Sequence, residues 1–184
     1  MLEIGVYSGG SLELWQDYFG PRAQIYGVDI APDCTSYEGP SVRIFIGDQA
    51  DRDFWRRFRE RVPKLDIVID DGGHTPEQQR ISVEELLPHL APGGIYICED
   101  IHGYPANSFA SYAHGLAHIL NDSRQVTENQ NDEEARMAAS PNPFQSAIRS
   151  IQFYPFMTVI EKNAELVSRL IAPKHGTLWQ PFLD

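Results

Sequence analysis

Two stretches hold the densest chemistry in the chain, Asp70-Asp71-Gly72-Gly73-His74 and Glu99-Asp100. Each follows an apolar, β-branched run, Leu65 to Ile69 and Gly93 to Cys98, that reads as a strand. In an open α/β sheet the ends of such strands face one crevice, where ligands bind. Four carboxylates crowded there repel one another unless a cation sits among them. Oxygen-only ligation suits a hard ion that keeps waters, which points to magnesium and is also compatible with manganese or calcium. His74 follows two glycines in a polar turn with no apolar face to fill, and an imidazole, which ordinarily titrates near neutrality, suits a general base there. Simpler readings exist for each pair taken alone. Asp70 and Asp71 could cap a helix starting near Pro76, and Glu99 with Asp100 could open a solvated loop.

A second group of residues fits a nucleoside. Leu2-Glu3-Ile4-Gly5-Val6-Tyr7-Ser8-Gly9-Gly10-Ser11 places a glycine-rich turn between a strand and a helix start, where backbone can approach a ligand closely. A dinucleotide turn would read G-x-G-x-x-G, but Tyr7 occupies the second glycine position and its ring would obstruct a pyrophosphate. The looser E-x-G-x-x-x-G pattern of nucleoside-methionine binders fits, and an ordinary tight turn remains the plain alternative. Asp29 ends the run Tyr26-Gly27-Val28-Asp29, where a carboxylate can accept both ribose hydroxyls. Asp48 and Gln49, after Gly47, could meet an adenine amino edge; equally, Asp48 could cap the helix that starts near Asp51.

These positions require an alternation of strands and helices. Strands are expected at Leu2 to Ile4, Gln24 to Val28, Val42 to Ile46, Leu65 to Ile69 and Gly93 to Cys98, with helices at about Ser11 to Tyr18, Asp51 to Val62 and Pro76 to Leu90. Asn107 to Leu120 reads as a further helix, and Asn121 to Pro143 as a polar, acidic loop or lid within an insertion of about 104–147. Arg149 to Tyr154 and Phe156 to Glu161, joined at Pro155, form a hairpin. The expected fold is α/β: one doubly wound, mostly parallel seven-stranded sheet with a C-terminal antiparallel hairpin, spanning 1–184 as a single domain. The chain starts almost inside its first strand, so whatever covers that end of the sheet is expected to be absent or to come from another subunit.

Composition narrows the partners. At 184 residues and a formal net charge of −11, attraction to nucleic acid or to an anionic membrane face is not expected. The two cysteines, Cys34 and Cys98, have no metal-ligand or disulfide spacing, which suits a reducing cytoplasm. No apolar run approaches the roughly 20 residues that would cross a bilayer.

Together, Leu2 through Gly10, Asp29, Gly47-Asp48-Gln49, Ile69 through His74 and Cys98-Glu99-Asp100 resemble the class I S-adenosylmethionine-dependent methyltransferases. The chain is most similar to the metal-dependent sugar O-methyltransferases of macrolide biosynthesis. The resemblance implies magnesium held by Asp71, Glu99 and Asp100, with His74 as catalytic base. It further implies S-adenosylmethionine held by the turn around Glu3, Gly5, Tyr7, Gly9 and Ser11, its ribose by Asp29, its adenine near Asp48 and Gln49, and its amino group near Asp70. The implied partner is a small-molecule hydroxyl acceptor, a sugar or glycosylated metabolite, and the implied assembly a homo-oligomer. Three other readings compete. A nicotinamide-dependent oxidoreductase would share the sheet and Asp29, a non-catalytic cofactor-binding subunit would share the whole site, and a catechol-type methyltransferase would more often employ a lysine base.

Overall fold

The computed structural model describes residues 1–102, 108–122, 126–128, 135–139 and 141–173. In chain order they form β1 (Leu2–Ile4), α1 (Gly10–Phe19), β2 (Ile25–Asp29), β3 (Val42–Ile46), α2 (Arg52–Arg61), β4 (Leu65–Asp70), α3 (Pro76–Leu86) and β5 (Leu90–Cys98). Then come α4 (Phe109–Leu120), β6 (Val126–Glu128), β7 (Ala135–Ala139), α5 (Pro143–Ala147), β8 (Ile148–Tyr154), β9 (Met157–Lys162) and β10 (Leu170–Pro173).

Seven strands make one sheet in the order β3-β2-β1-β4-β5-β9-β8. The first five are parallel, and β9 and β8 add antiparallel pairings at the far side, so the expected doubly wound sheet with its closing hairpin is present. The order reverses on either side of β1, and the crevice outside the carboxyl ends of β1 and β4 is the place where such sheets bind ligands.

Alternation along the strands sorts the core into two layers. In β2, Ile25 joins Val6, Leu12, Val42 and Ile44 on the α1 side, whereas Tyr26 and Val28 join the larger cluster with Trp55, Phe58, Leu86 and Phe109 from α2, α3 and α4. Side chains at the helix heads set the helix starts. Asp51 accepts the N–H of Asp53 at the head of α2, and Thr75 with Gln78 forms a reciprocal capping box at the head of α3, where Pro76 needs no N–H partner. Asp51 thus takes the capping role left open for Asp48.

Several boundaries differ from the sequence expectation. β2 and β4 each run one residue further, to Asp29 and Asp70, and α3 stops at Leu86, giving way to a short 3-10 turn and then to β5 from Leu90. Pro88 removes a backbone donor, so the helix could not continue to Leu90 without loss. The loop expected from Asn121 to Pro143, and the wider insertion of about 104–147, lie partly outside the described residues. Where described, this stretch contains β6 and β7, and β7 pairs with β6 on one side and β10 on the other in a small three-stranded antiparallel sheet.

On the outer face, Arg59 and Arg52 of α2 reach Glu85 of α3, and Arg52 also reaches Glu84. Burial alone would raise the Glu85 carboxyl, but hydrogen bonds from the two arginines outweigh it and hold it below its ordinary value. A carboxyl lowered by folding adds stability above its unfolded value, and that stability disappears as pH falls through the folded value. Glu85→Gln should therefore cost about 1 kcal/mol at pH 7, a melting shift of roughly 2–4 °C, and the gap from the parent should close as pH falls from 7 through the lowered Glu85 value. A gap of constant size in thermal unfolding across that range would show that the pair does not couple α2 to α3.

Candidate functional site

The floor of the crevice is built around Asp70, the last residue of β4 and only 1% exposed. Its Oδ1 accepts from Gln49 Nε2 at 2.6 Å and its Oδ2 from the Tyr96 hydroxyl at 2.6 Å. Burial pushes the Asp70 carboxyl up to about 7 against these two bonds. Gln49 is itself buried, and its Oε1 accepts the Gly73 N–H at 2.9 Å while its backbone oxygen accepts from Trp55 Nε1 at 2.9 Å. One residue therefore fastens the turn after β3 to the end of β4 and to the Gly72-Gly73 turn through its side chain, and to α2 through its backbone oxygen.

The expected position of Asp70 near a cofactor amino group needs correction, because both its oxygens are sealed beneath the floor. Glu3 also points elsewhere. The residue is 3% exposed, and its carboxylate accepts from Ser11 Oγ at 2.8 Å and Trp15 Nε1 at 3.0 Å, tying β1 to α1. Burial raises this carboxyl, partly opposed by those two donors. Glu3 and Ser11, expected to hold cofactor, bond to each other, and neither they nor Gly9 are among the residues lining the cavity.

The cavity above this floor has a volume of about 450 Å³ and is lined by Gly5, Tyr7, Asp29, Asp48, Gln49, Asp71, His74 and Asp100, among others. Asp29 Oδ2 accepts the N–H groups of Val6 and Tyr7 at 2.9 and 3.0 Å, and its Oδ1 accepts that of Ala31 at 2.8 Å. Burial would raise the Asp29 carboxyl, but these backbone donors overcome it and lower the value. Asp29 thereby fixes the shape of the glycine turn as well as bordering the cavity. Asp48 Oδ1 accepts the Ala50 N–H at 2.8 Å and also borders it. Tyr7 has φ +48 and is 88% exposed at the rim.

Gly5 has φ +94, and a Cβ there would stand 2.1 Å from the Asp71 carbonyl oxygen. Its hydrogen is what lets the turn after β1 close on the turn after β4, whose Asp71 N–H bonds to the Ile4 oxygen at 3.0 Å.

At the other end of the cavity, ligand atoms of Asp71, His74 and Asp100 all lie within 4.8 Å of one another. His74 Nε2 is 3.9 Å from Asp100 Oδ2, too long for a hydrogen bond. His74 Nδ1 is buried with no hydrogen-bond partner among the described residues. Glu99 was expected as a third carboxylate ligand, but it is not in this group of atoms. Its backbone is held at the strand end, where its N–H bonds to the Asp70 oxygen at 2.9 Å and its carbonyl accepts from the buried Gln79 Nε2 at 3.0 Å. Burial first, then the charges of Asp71 and Asp100, raises the Glu99 carboxyl; burial and then Asp100 raise that of Asp71. A cation among these oxygens would relieve that crowding, so the donor set fits a hard divalent ion.

Tyr96, His102 and Phe156 were not singled out from sequence. Tyr96 carried a signal, since a hydroxyl on a fully buried strand must find a partner. A larger groove, about 760 Å³, runs along the β3 edge beside Arg43, Arg57 and Arg61. Size alone does not identify the site: the Asp71, His74 and Asp100 cluster lines the smaller cavity.

The strand order, the antiparallel closing hairpin and a nucleoside-sized crevice ending in a carboxylate and histidine cluster define a Rossmann-like methyltransferase fold. Residues 2–101 match the family described as Methyltransferase domain, and the chain belongs to that family. Over 108 residues, 55% of this chain and 27% of the relative, it is 44% identical to mycinamicin VI 2''-O-methyltransferase of Micromonospora griseorubida. Over 175 residues, 89% of this chain and 46% of the relative, it is 31% identical to 8-demethyl-8-alpha-L-rhamnosyl tetracenomycin-C 2'-O-methyltransferase of Streptomyces olivaceus. The solved MycE methyltransferase from the mycinamycin biosynthetic pathway, in complex with Mg, SAH and mycinamycin VI, is similar with a TM-score of 0.72 and 31% identity, over 88% of this chain and 44% of that one. The chain spans less than half the length of each of these proteins.

Gln49 generates the sharpest stability prediction. Gln49→Leu preserves volume but leaves Asp70 Oδ1 and the Gly73 N–H unpaired, which should cost roughly 2–4 kcal/mol and lower the melting temperature by several degrees or more. Unchanged thermal unfolding of the Leu variant would show that water replaces the amide and that the floor does not depend on it.

Proposed function

We propose that the chain transfers the methyl group of S-adenosylmethionine to a hydroxyl of a sugar or glycosylated small molecule, with a divalent ion, magnesium, at the acidic end of the cavity. The observation that carries this reading is one continuous cavity bordered at one end by Gly5, Tyr7, Asp29 and Asp48 and at the other by Asp71, His74 and Asp100. The names of the relatives and the Mg and SAH of the similar solved structure support it. Membership in the methyltransferase family weighs against the nicotinamide reading.

When bound, the cofactor supplies an electrophilic methyl carbon on a sulfonium leaving group, and the ion supplies positive charge that makes a nearby hydroxyl more acidic. The residues divide the remaining work. Asp29 and the turn it shapes would orient the nucleoside, with Asp48 beside the base. Asp71 and Asp100 would hold the ion, Glu99 adding negative charge from the next position. His74 would take the proton of the acceptor hydroxyl as its oxygen bonds to the methyl carbon and the carbon–sulfur bond breaks. Nε2 is the nitrogen for this step, because Nδ1 is buried. Asp100, 3.9 Å away, would stabilise the imidazolium that results.

Metal dependence is tested at the carboxylates. Asp71→Ala and Asp100→Ala should each remove magnesium-stimulated turnover while S-adenosylhomocysteine affinity in calorimetry changes by less than about threefold, a small fraction of its binding energy. Glu99→Ala should weaken magnesium binding less than either. Undiminished turnover in excess chelator would overturn the metal assignment.

His74 has two possible roles, base or ligand, and one variant separates them. As base, His74→Ala should lower kcat by about 10² to 10⁴ with magnesium and cofactor affinity little changed. A loss of magnesium affinity equal to the loss of rate would make it a ligand instead.

A further inference from the structure

We propose that Phe156, with the His102 ring beside it, is the platform on which the acceptor's sugar ring rests, and so a specificity-determining residue of this site; the proposal rests on the methyl-transfer reading above. Phe156 forms the turn between β8 and β9, with φ +61. A bulky aromatic residue in the left-handed region is an outlier, for a glycine or asparagine would make the same turn with less strain. Strained positions of this kind concentrate where a side chain serves a ligand. Among the described residues packing does not account for the choice, because the residue is 65% exposed.

Its position is tied to the reacting end of the cavity. The Phe156 carbonyl accepts the N–H of Ile101 at 2.9 Å, so the hairpin tip is bonded to the residue that follows Asp100. The Phe156 ring centroid lies 5.9 Å from that of His102, tilted by 53°, and His102 lies 6.1 Å from His74, edge-on at 80°. Three rings thus lead outward from the proton-accepting imidazole to an exposed aromatic face. A pyranose presents both chemistries this arrangement needs: hydroxyls along its edge for His74 and Asp100, and an apolar C–H face for an aromatic ring. The chemical class of acceptor is therefore a glycoside lying across Phe156 with one hydroxyl edge turned inward, rather than a flat catechol or a free polar alcohol.

The left-handed backbone supplies a test with opposite signs. Phe156→Gly removes both the strain and the ring, and Phe156→Tyr keeps the ring. With S-adenosylhomocysteine and magnesium present, binding of methyl α-L-rhamnopyranoside is followed by nuclear magnetic resonance titration, together with the melting temperature and, for active protein, KM and kcat. The Gly variant should melt no lower than the parent yet bind the glycoside about tenfold more weakly, with KM raised to match and kcat at saturation within about threefold. The Tyr variant should bind like the parent. If the Gly variant binds the glycoside as well as the parent does, Phe156 is a turn residue only and the proposal falls. It also falls if the parent binds no glycoside. Should the parent bind the glycoside, lose it on Phe156→Gly, and yet transfer no methyl group, the platform stands and the methyl-transfer reading is what fails.

Discussion

A buried carboxylate is the constraint on which the site depends. Asp70 has almost no access to water, so its charge or proton must be met by protein donors, and Gln49 and Tyr96 meet it from opposite sides. Those donors come from the turn after β3 and from within β5, so satisfying one side chain at the end of β4 fixes three strands relative to one another. Gln49 then spends its remaining polar atoms on Gly73 and Trp55, which carries the same constraint into the turn before α3 and into α2. The neighbour of Asp70 in sequence, Asp71, points the other way by the pleat of the strand and becomes available to a ligand. The pair Asp-Asp is thus one structural and one chemical residue.

Crowding of like charge is the second constraint, and it is the site's chemical potential. Asp71 and Glu99 are raised by burial and by each other's neighbours, an arrangement that costs free energy in the absence of a cation and lowers the cost of binding one. Asp100 is held at φ +48, a conformation disfavoured for a residue with a β-carbon, and its carboxylate is brought beside His74. The net charge of −11 works in the same direction, since it favours a cationic cofactor and a metal ion over an anionic partner.

The sequence made the frame legible because strand runs, helix caps and glycine turns are local signals. The five parallel strands and the closing hairpin lie within a few residues of where alternation and punctuation put them. Residue types at strand ends also pointed to one crevice, and the fold brings Asp29, Asp48, Asp71 and Asp100 to the wall of one cavity. Direction was what could not be read. Whether Glu3 faces α1 or the cavity depends on pleat and on the reach of Trp15, and whether Glu99 joins Asp71 depends on how β5 turns after Cys98. Three-dimensional partners such as Tyr96 and Gln79 contribute through single contacts that leave no spacing in the chain. The segments β6 and β7 were hidden for a related reason: a short strand in a polar stretch has no apolar periodicity, and its partner β10 lies more than thirty residues downstream.

The glycine turn shows how a motif can be read rightly for a different physical reason. From sequence, Gly5 lets a ligand approach bare backbone. In the fold, what approaches Gly5 most closely is the Asp71 carbonyl, and any side chain at position 5 would drive the turns after β1 and β4 apart. The same displacement would move Asp71 away from His74 and Asp100, so one missing β-carbon joins the nucleoside end of the cavity to its acidic end. Tyr7, which excluded a dinucleotide turn by its bulk, stands at the rim in a left-handed conformation whose N–H is claimed by Asp29. The ring is therefore turned outward by a backbone bond, and the turn keeps the space above Gly5 open for a ligand with no pyrophosphate to bind.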